Sequence, residues 1–176
     1  MTAVTDLADR LSVARRDFGG LRDAVESGRP WSLSDVFGVE PEAHWGPPEV
    51  LAHVAEMVPF WQGEIARILD GAPEPVPFGR VASDALRIGV IERDRSLPPG
   101  ELFERIDASA GRFADRLGSL TAAQAARRGL HPTLGDMTVA QIAERFVVSH
   151  LEDHVRQLSA ALAASDQRTE SPADRG

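Results

Sequence analysis

The stretch "TVAQIAERFVVSHLEDHVRQLSAALAA", residues 138–164, holds neither proline nor glycine and carries a helical pattern throughout. Thr138 and Gln141 form a T-x-x-Q capping box at its start. An inward stripe follows at three- and four-residue steps: Val139, Ala143, Phe146, His150, His154, Leu158 and Ala161. Two histidines therefore continue the apolar face. A buried imidazole needs hydrogen bonds or a metal to offset its desolvation.

Before this helix, "GLHPTLGD" (129–136) reads as a loop. A helix opened by Pro98-Pro99 carries Leu102, Ile106, Phe113 and Leu117 to about residue 120, and a shorter one spans 83–94. "APEPVPFG" (72–79) is a proline-rich loop. Residues 47–71 form another helix, with the stripe Val50, Val54, Met57, Trp61, Ile65 and Ile68, and Pro59 is expected to kink it. A connection rich in glycine and proline fills 28–48, a length often tied to function. The first helix spans 5–27 through Leu7, Leu11, Ala14, Phe18, Leu21 and Val25, weakened at Gly19 and Gly20. No strand alternation is evident. The expected fold is all-α: an antiparallel four-helix bundle with one extra short helix. It forms a single domain over 1–165, and "DQRTESPADRG" (166–176) is expected to be a disordered polar tail.

Composition narrows the function. The chain has 176 residues, 43% of them hydrophobic, enough for one domain with a real core. With 27 acidic against 19 basic residues the net charge is −8, which disfavours nucleic acid and anionic membranes as partners. There is no cysteine, so disulfides, thiolate metal sites and cysteine nucleophiles are excluded. That absence fits a cytoplasmic location. The N-terminus lacks the apolar core of a signal peptide, and no run approaches a membrane span.

His53 falls between Val50 and Met57 on the stripe of the 47–71 helix. Three of the five histidines, His53, His150 and His154, thus point inward from two helices. An i, i+4 pair places side chains about 5–6 Å apart at Cβ, which is chelating distance. A third imidazole completes a set suited to zinc or nickel, with iron, cobalt or manganese also admitted. Three protein ligands leave one position open, as catalytic sites do. The plainer reading is that each histidine is hydrogen-bonded in the core. A di-iron carboxylate site is rejected because no Glu-x-x-His occurs, and the zincin His-Glu-x-x-His is absent too.

Two segments carry a resemblance. "HWGPPEVLAHVAEM" (44–57) is similar to the W-x-x-x-E-x-L-x-H opening of the second helix in the DinB/YfiT-like superfamily, and "GDMTVAQIAERFVVSHLEDHVRQL" (135–158) resembles its closing H-x-x-x-H helix. That superfamily includes mycothiol-dependent maleylpyruvate isomerases and related thiol S-transferases. The resemblance covers about residues 5–164. It implies a four-helix bundle with a mononuclear divalent metal on His53, His150 and His154, often as a homodimer. It also implies a low-molecular-weight thiol such as mycothiol as co-substrate, acting on a small-molecule substrate. Many members have no established activity, so a non-catalytic metal or small-ligand binding protein on the same bundle is the alternative.

Other residues are weighed against structural roles. Trp61 and Met57 could wall a pocket, although core packing is the commoner reading. Glu56, Glu152 or Asp153 could hold the free nitrogen of a histidine, with Glu152 and Asp153 leaving that face by about 100° per residue. Gln157 could reach the pocket rim. Arg80, Arg87 and Arg93 could form a positive rim, or be surface charge. His44 and His131 are expected in solvent-exposed loops.

Overall fold

The computed structural model describes residues 3–28 and 30–170, with side chains described for 4–28 and 30–165. α1 (Ala3–Gly19) and α2 (Arg22–Ser27) replace the single first helix expected over 5–27. The break falls at Gly19 and Gly20, where each glycine costs about 1 kcal/mol relative to alanine in a helix. The apolar stripe survives the break: Leu7, Leu11, Ala14, Phe18 and Val25 are all buried.

A 3₁₀ turn, Glu42–His44, leads into α3 (Pro47–Asp70). Pro47 and Pro48 occupy its first turn, where no backbone donor is missed. Pro59 lies on the exposed face and the helix continues through it. α4 (Ala85–Asp94) is capped by Asp84, whose Oδ1 accepts from Arg87 N at 2.9 Å. α5 (Pro99–Gly118) and the short α6 (Ala122–Ala125) follow. The last helix begins as α7 (Val139–Ala143), passes through a π turn over Glu144–Val148, and continues as α8 (Ser149–Glu170). The Thr138/Gln141 capping box is present at its start.

Residues 166–170, expected in the disordered tail, extend α8 instead. They contain no helix breaker, the first being Pro172. Residues 171–176, the rest of that expected tail, lie outside the described residues.

α5 packs against α1 and α3, α8 packs against the same two helices, and α4 lies on α3. Leu11, Phe18, Leu51, Met57, Phe113 and Ile142 are among the fully buried side chains, each contributing roughly 1.5–3 kcal/mol.

The expectation of an all-helical chain is corrected by a small three-stranded sheet. β1 (Val76–Pro77) pairs parallel with β2 (Arg128–His131), which pairs antiparallel with β3 (Gly135–Thr138). Both stretches read as loops, "APEPVPFG" and "GLHPTLGD", contribute strands. Elements of two and four residues are too short to show a period of two. Gly129 permits the sheet to lie on α3, because a Cβ there would stand 2.5 Å from the Phe78 ring and 2.7 Å from Ile68.

The 28–48 connection is tied down by a buried carboxylate. Glu49 in the first turn of α3 is 0% exposed, and its Oε1 accepts from Arg95 Nη1 at 3.0 Å and Ser34 N at 2.9 Å. Arg95 Nη1 also donates to Ser34 O at 2.7 Å. This clasp fastens the connection to the ends of α3 and α4. Among the described residues, no helix is long and apolar enough to cross a membrane.

Candidate metal centre

Three segments converge on one point. His53 comes from the second turn of α3 and is 1% exposed. His150 and His154 come from the first turns of α8, immediately after the π turn. Glu42 comes from the 3₁₀ turn, its carbonyl held by Gln157 Nε2 at 2.7 Å. One donor atom from each of these four side chains lies within 4.8 Å of the others.

The imidazole rings are close. Ring centres are 4.9 Å apart for His53 and His154, 5.2 Å for His53 and His150, and 4.6 Å for His150 and His154. His53 Nε2 is 3.4 Å from His150 Nε2. Two nitrogens held at zinc-bond length around a tetrahedral ion stand about 3.3 Å apart, so the spacing fits a shared cation. Trp45 packs edge-on against His53 with centres 5.5 Å apart.

Gln157 fixes the tautomer of His154. Its Nε2 donates to the carbonyls of Glu42 at 2.7 Å and Trp45 at 3.2 Å, so its Oε1 must face His154. His154 Nδ1 therefore donates to Oε1 at 3.0 Å, and Nε2 carries a lone pair. That Nε2 is buried and has no hydrogen-bond partner among the described residues. An orphaned imidazole lone pair beside two more imidazoles is what a metal ion would satisfy. The residues present thus fit a divalent cation.

Electrostatics favour the neutral forms of His53 and His154. Burial, then the neighbouring His150, pushes His154 down to about 4. Burial, then His154 and the Arg87 guanidinium, holds His53 well below the usual histidine range. Burial by itself would raise the Glu42 carboxyl, but His150 and Arg87 outweigh it and hold the group at about 2. Neutral imidazoles and an ionised carboxylate are the forms that ligate.

A cleft of about 140 Å³ opens beside the cluster, walled by Met57, Trp61, Phe146, Arg80 and Arg87. Trp61 stacks on Phe146 with ring centres 4.1 Å apart. A broader groove of about 800 Å³ also reaches Phe146 and His150. Another groove, of about 880 Å³ between the 28–47 region and α8, contains none of these three histidines.

The structure brings together all three expected histidines. His150 sits at the edge of the apolar face, its side chain 27% exposed, whereas His53 and His154 are buried. Gln157 orients His154 directly. Glu56 pairs with Arg80 at 2.5 Å instead of holding a histidine. Glu152 pairs with Arg10, and Asp153 with Arg156. Arg80 and Arg87 reach the cleft, while Arg93 pairs with Asp94 at 2.6 Å. His44 is exposed, as expected of a loop histidine. His131 is not: it is 5% exposed on β2, with its ring stacked on Phe146. Glu42 escaped the sequence reading. Its one signal was position, inside a long connection just ahead of the helix that carries His53.

Fold and site together define a mostly helical protein with three imidazoles and one carboxylate gathered beside a small cleft, a group able to hold a metal ion. The sequence profile of the DinB superfamily matches residues 29–158, more than half of the chain, and the chain belongs to the DinB superfamily. Both segments that carried the resemblance, 44–57 and 135–158, fall inside the match. No curated protein matches the chain.

Proposed function

We propose that this chain binds a divalent metal through His53, His150 and His154 and acts as a metal-dependent transferase or isomerase that uses a low-molecular-weight thiol, mycothiol or a relative. The observation that carries the metal reading is the buried Nε2 of His154, forced into its lone-pair tautomer by Gln157 and left without a partner among the described residues. Zinc or nickel suits three imidazoles best. Pairwise packing of α1, α3, α5 and α8 supports the antiparallel four-helix-bundle reading. The thiol rests on the superfamily alone.

When bound, a divalent cation supplies Lewis acidity and favours the deprotonated form of a thiol beside it. The chain's own residues set the rest. Gln157 orients His154. Met57, Trp61 and Phe146 exclude water from the cleft wall. Arg80 and Arg87 place positive charge there for an anionic group. Glu56 occupies only Nη2 of Arg80 among the described contacts, which leaves further N–H donors for a ligand.

Glu42 favours a second reading. A carboxylate that completes four protein donors makes a closed set, as in metal sites without turnover. The alternative is a non-catalytic metal or small-ligand binding protein. Metal content of untagged protein by inductively coupled plasma mass spectrometry, beside a His53→Ala/His150→Ala variant, tests the centre. Near-stoichiometric metal lost in the variant is expected; metal-free protein from metal-replete growth overturns the ligand assignment. Thiol-dependent turnover by the loaded protein then separates enzyme from binding protein.

A further inference from the structure

We propose that Glu42 is an exchangeable fourth ligand of this centre and that Arg87 is the residue that holds it while no ion is bound. The proposal rests on the three-histidine reading above.

Glu42 is divided between two partners. Its Oε1 pairs with Arg87 Nη2. Its Oε2 stands 3.6 Å from His150 Nε2 and 3.8 Å from His53 Nε2, beyond hydrogen-bond length yet aimed at the point the imidazoles share. The backbone beneath it is anchored, because Gln157 Nε2 donates to the Glu42 carbonyl at 2.7 Å. The same amide orients His154. The carboxylate can therefore travel between Arg87 and the cation by side-chain rotation alone.

Arg87 must yield when an ion arrives. Its Nη2 lies 3.3 Å from His53 Nδ1, and a guanidinium has only donors. That contact requires the Nδ1 lone pair and leaves the His53 proton on Nε2, the nitrogen that faces His150. A cation on Nε2 displaces that proton, and the neutral ring then carries one on Nδ1. Two donors cannot face one another at that distance, so Arg87 withdraws. One proton leaves Nε2 and one is taken up at Nδ1, with no net change on the ring. The withdrawal weakens the hold on Oε1 and releases the carboxylate to the cation. Arg87 keeps its Nη1 contact with the Ala82 carbonyl at 3.0 Å, so the movement is confined to the head group. Oxygen ligation would close the centre at rest, and a small-molecule ligand would enter by returning Glu42 to Arg87.

Cobalt(II) titration of the full untagged chain tests this through affinity and visible d–d absorption. Wild-type protein should take one equivalent with the intense bands of a four-coordinate ion. Glu42→Gln should weaken binding on the order of tenfold or more and alter the bands, with far-UV circular dichroism unchanged. Glu42→Ala, which removes the amide oxygen as a substitute ligand, should do the same. Arg87→Met should tighten binding several-fold, because the competitor for the carboxylate and a positive charge beside the cation are both removed. Unchanged affinity and bands in both Glu42 variants would overturn the ligand while leaving the three-histidine centre standing. Weaker binding by folded Arg87→Met would overturn the exchange. Failure of wild-type protein to bind cobalt would overturn the centre and Glu42's part in it together.

Discussion

Gly79 occupies the left-handed region at φ 84°, and the ring of His131 lies against its α-carbon. A Cβ at this position would stand 2.5 Å from His131 Cδ2 and 2.9 Å from Nε2. His131 cannot easily retreat, since it is packed edge-on against Phe78 and stacked on Phe146. The turn made by Gly79 sends Arg80 into the cleft, where its guanidinium lies 3.6 Å over the Phe60 ring. Gly79→Ala combines backbone strain of about 1–2 kcal/mol with this collision. It should destabilise the protein by on the order of 3 kcal/mol in urea denaturation. Stability within experimental error of wild type would show that the His131 ring moves aside freely.

At the scale of elements, the π turn Glu144–Val148 sets the phase of α8. A regular helix would carry one stripe from Val139 through Phe146 to His150. The extra residue lets Val147 and Val148 both face the core and leaves Phe146 and His150 at its border, open to the cleft. Insertions of this kind recur at functional sites because they re-aim side chains without ending the helix. Arg10 on α1 clamps this junction. Its Nε and Nη2 donate to the two carboxylate oxygens of Glu152 at 3.0 and 2.8 Å, and Nη1 reaches Glu144 at 3.1 Å. The Arg10 side chain is 33% exposed, so solvent screens much of the attraction. Arg10→Ala should lower stability by about 1 kcal/mol, and the difference should shrink at high salt. Melting curves at low and high ionic strength check this; an effect indifferent to salt would assign Arg10 to packing instead.

For the whole molecule, the buried cluster makes stability depend on pH in the metal-free state. His154 titrates at about 4 in the folded chain and near its ordinary 6.5 when unfolded, and His53 is shifted the same way by burial. Between those values the unfolded chain binds more protons. Stability from these groups is therefore complete above about pH 6.5 and is lost as pH falls toward 4. For His154 alone the loss is on the order of 3 kcal/mol. Glu42 acts in the same direction further down, as pH falls through the carboxylate range toward 2. Urea midpoints of chelator-treated protein at pH 8, 6.5 and 5 should fall slightly between the first two and chiefly between the last two. A flat profile would mean that the histidines are accessible to protons in the folded state.

Residue order alone settles what depends on neighbours within about one helical turn. It placed His150 and His154 on one face, His53 on the stripe of its own helix, and the Thr138/Gln141 capping box, because a period of 3.6 residues is written in spacings of three and four. It also carried the superfamily, since the two segments that bear the resemblance are such helices. Tertiary structure decided the rest. The sheet joins Val76 and Pro77 to partners beyond residue 128, and no two-residue strand announces itself. His131, expected in solvent, is buried because that sheet lays it on Phe146. Glu42 and Arg87 reach the histidines from distant segments, and Gln157, only three residues from His154, ties it to the Glu42 carbonyl across 115 residues of sequence. Such contacts arise only when helices pack. No local periodicity encodes them, and they are the contacts that shape this centre.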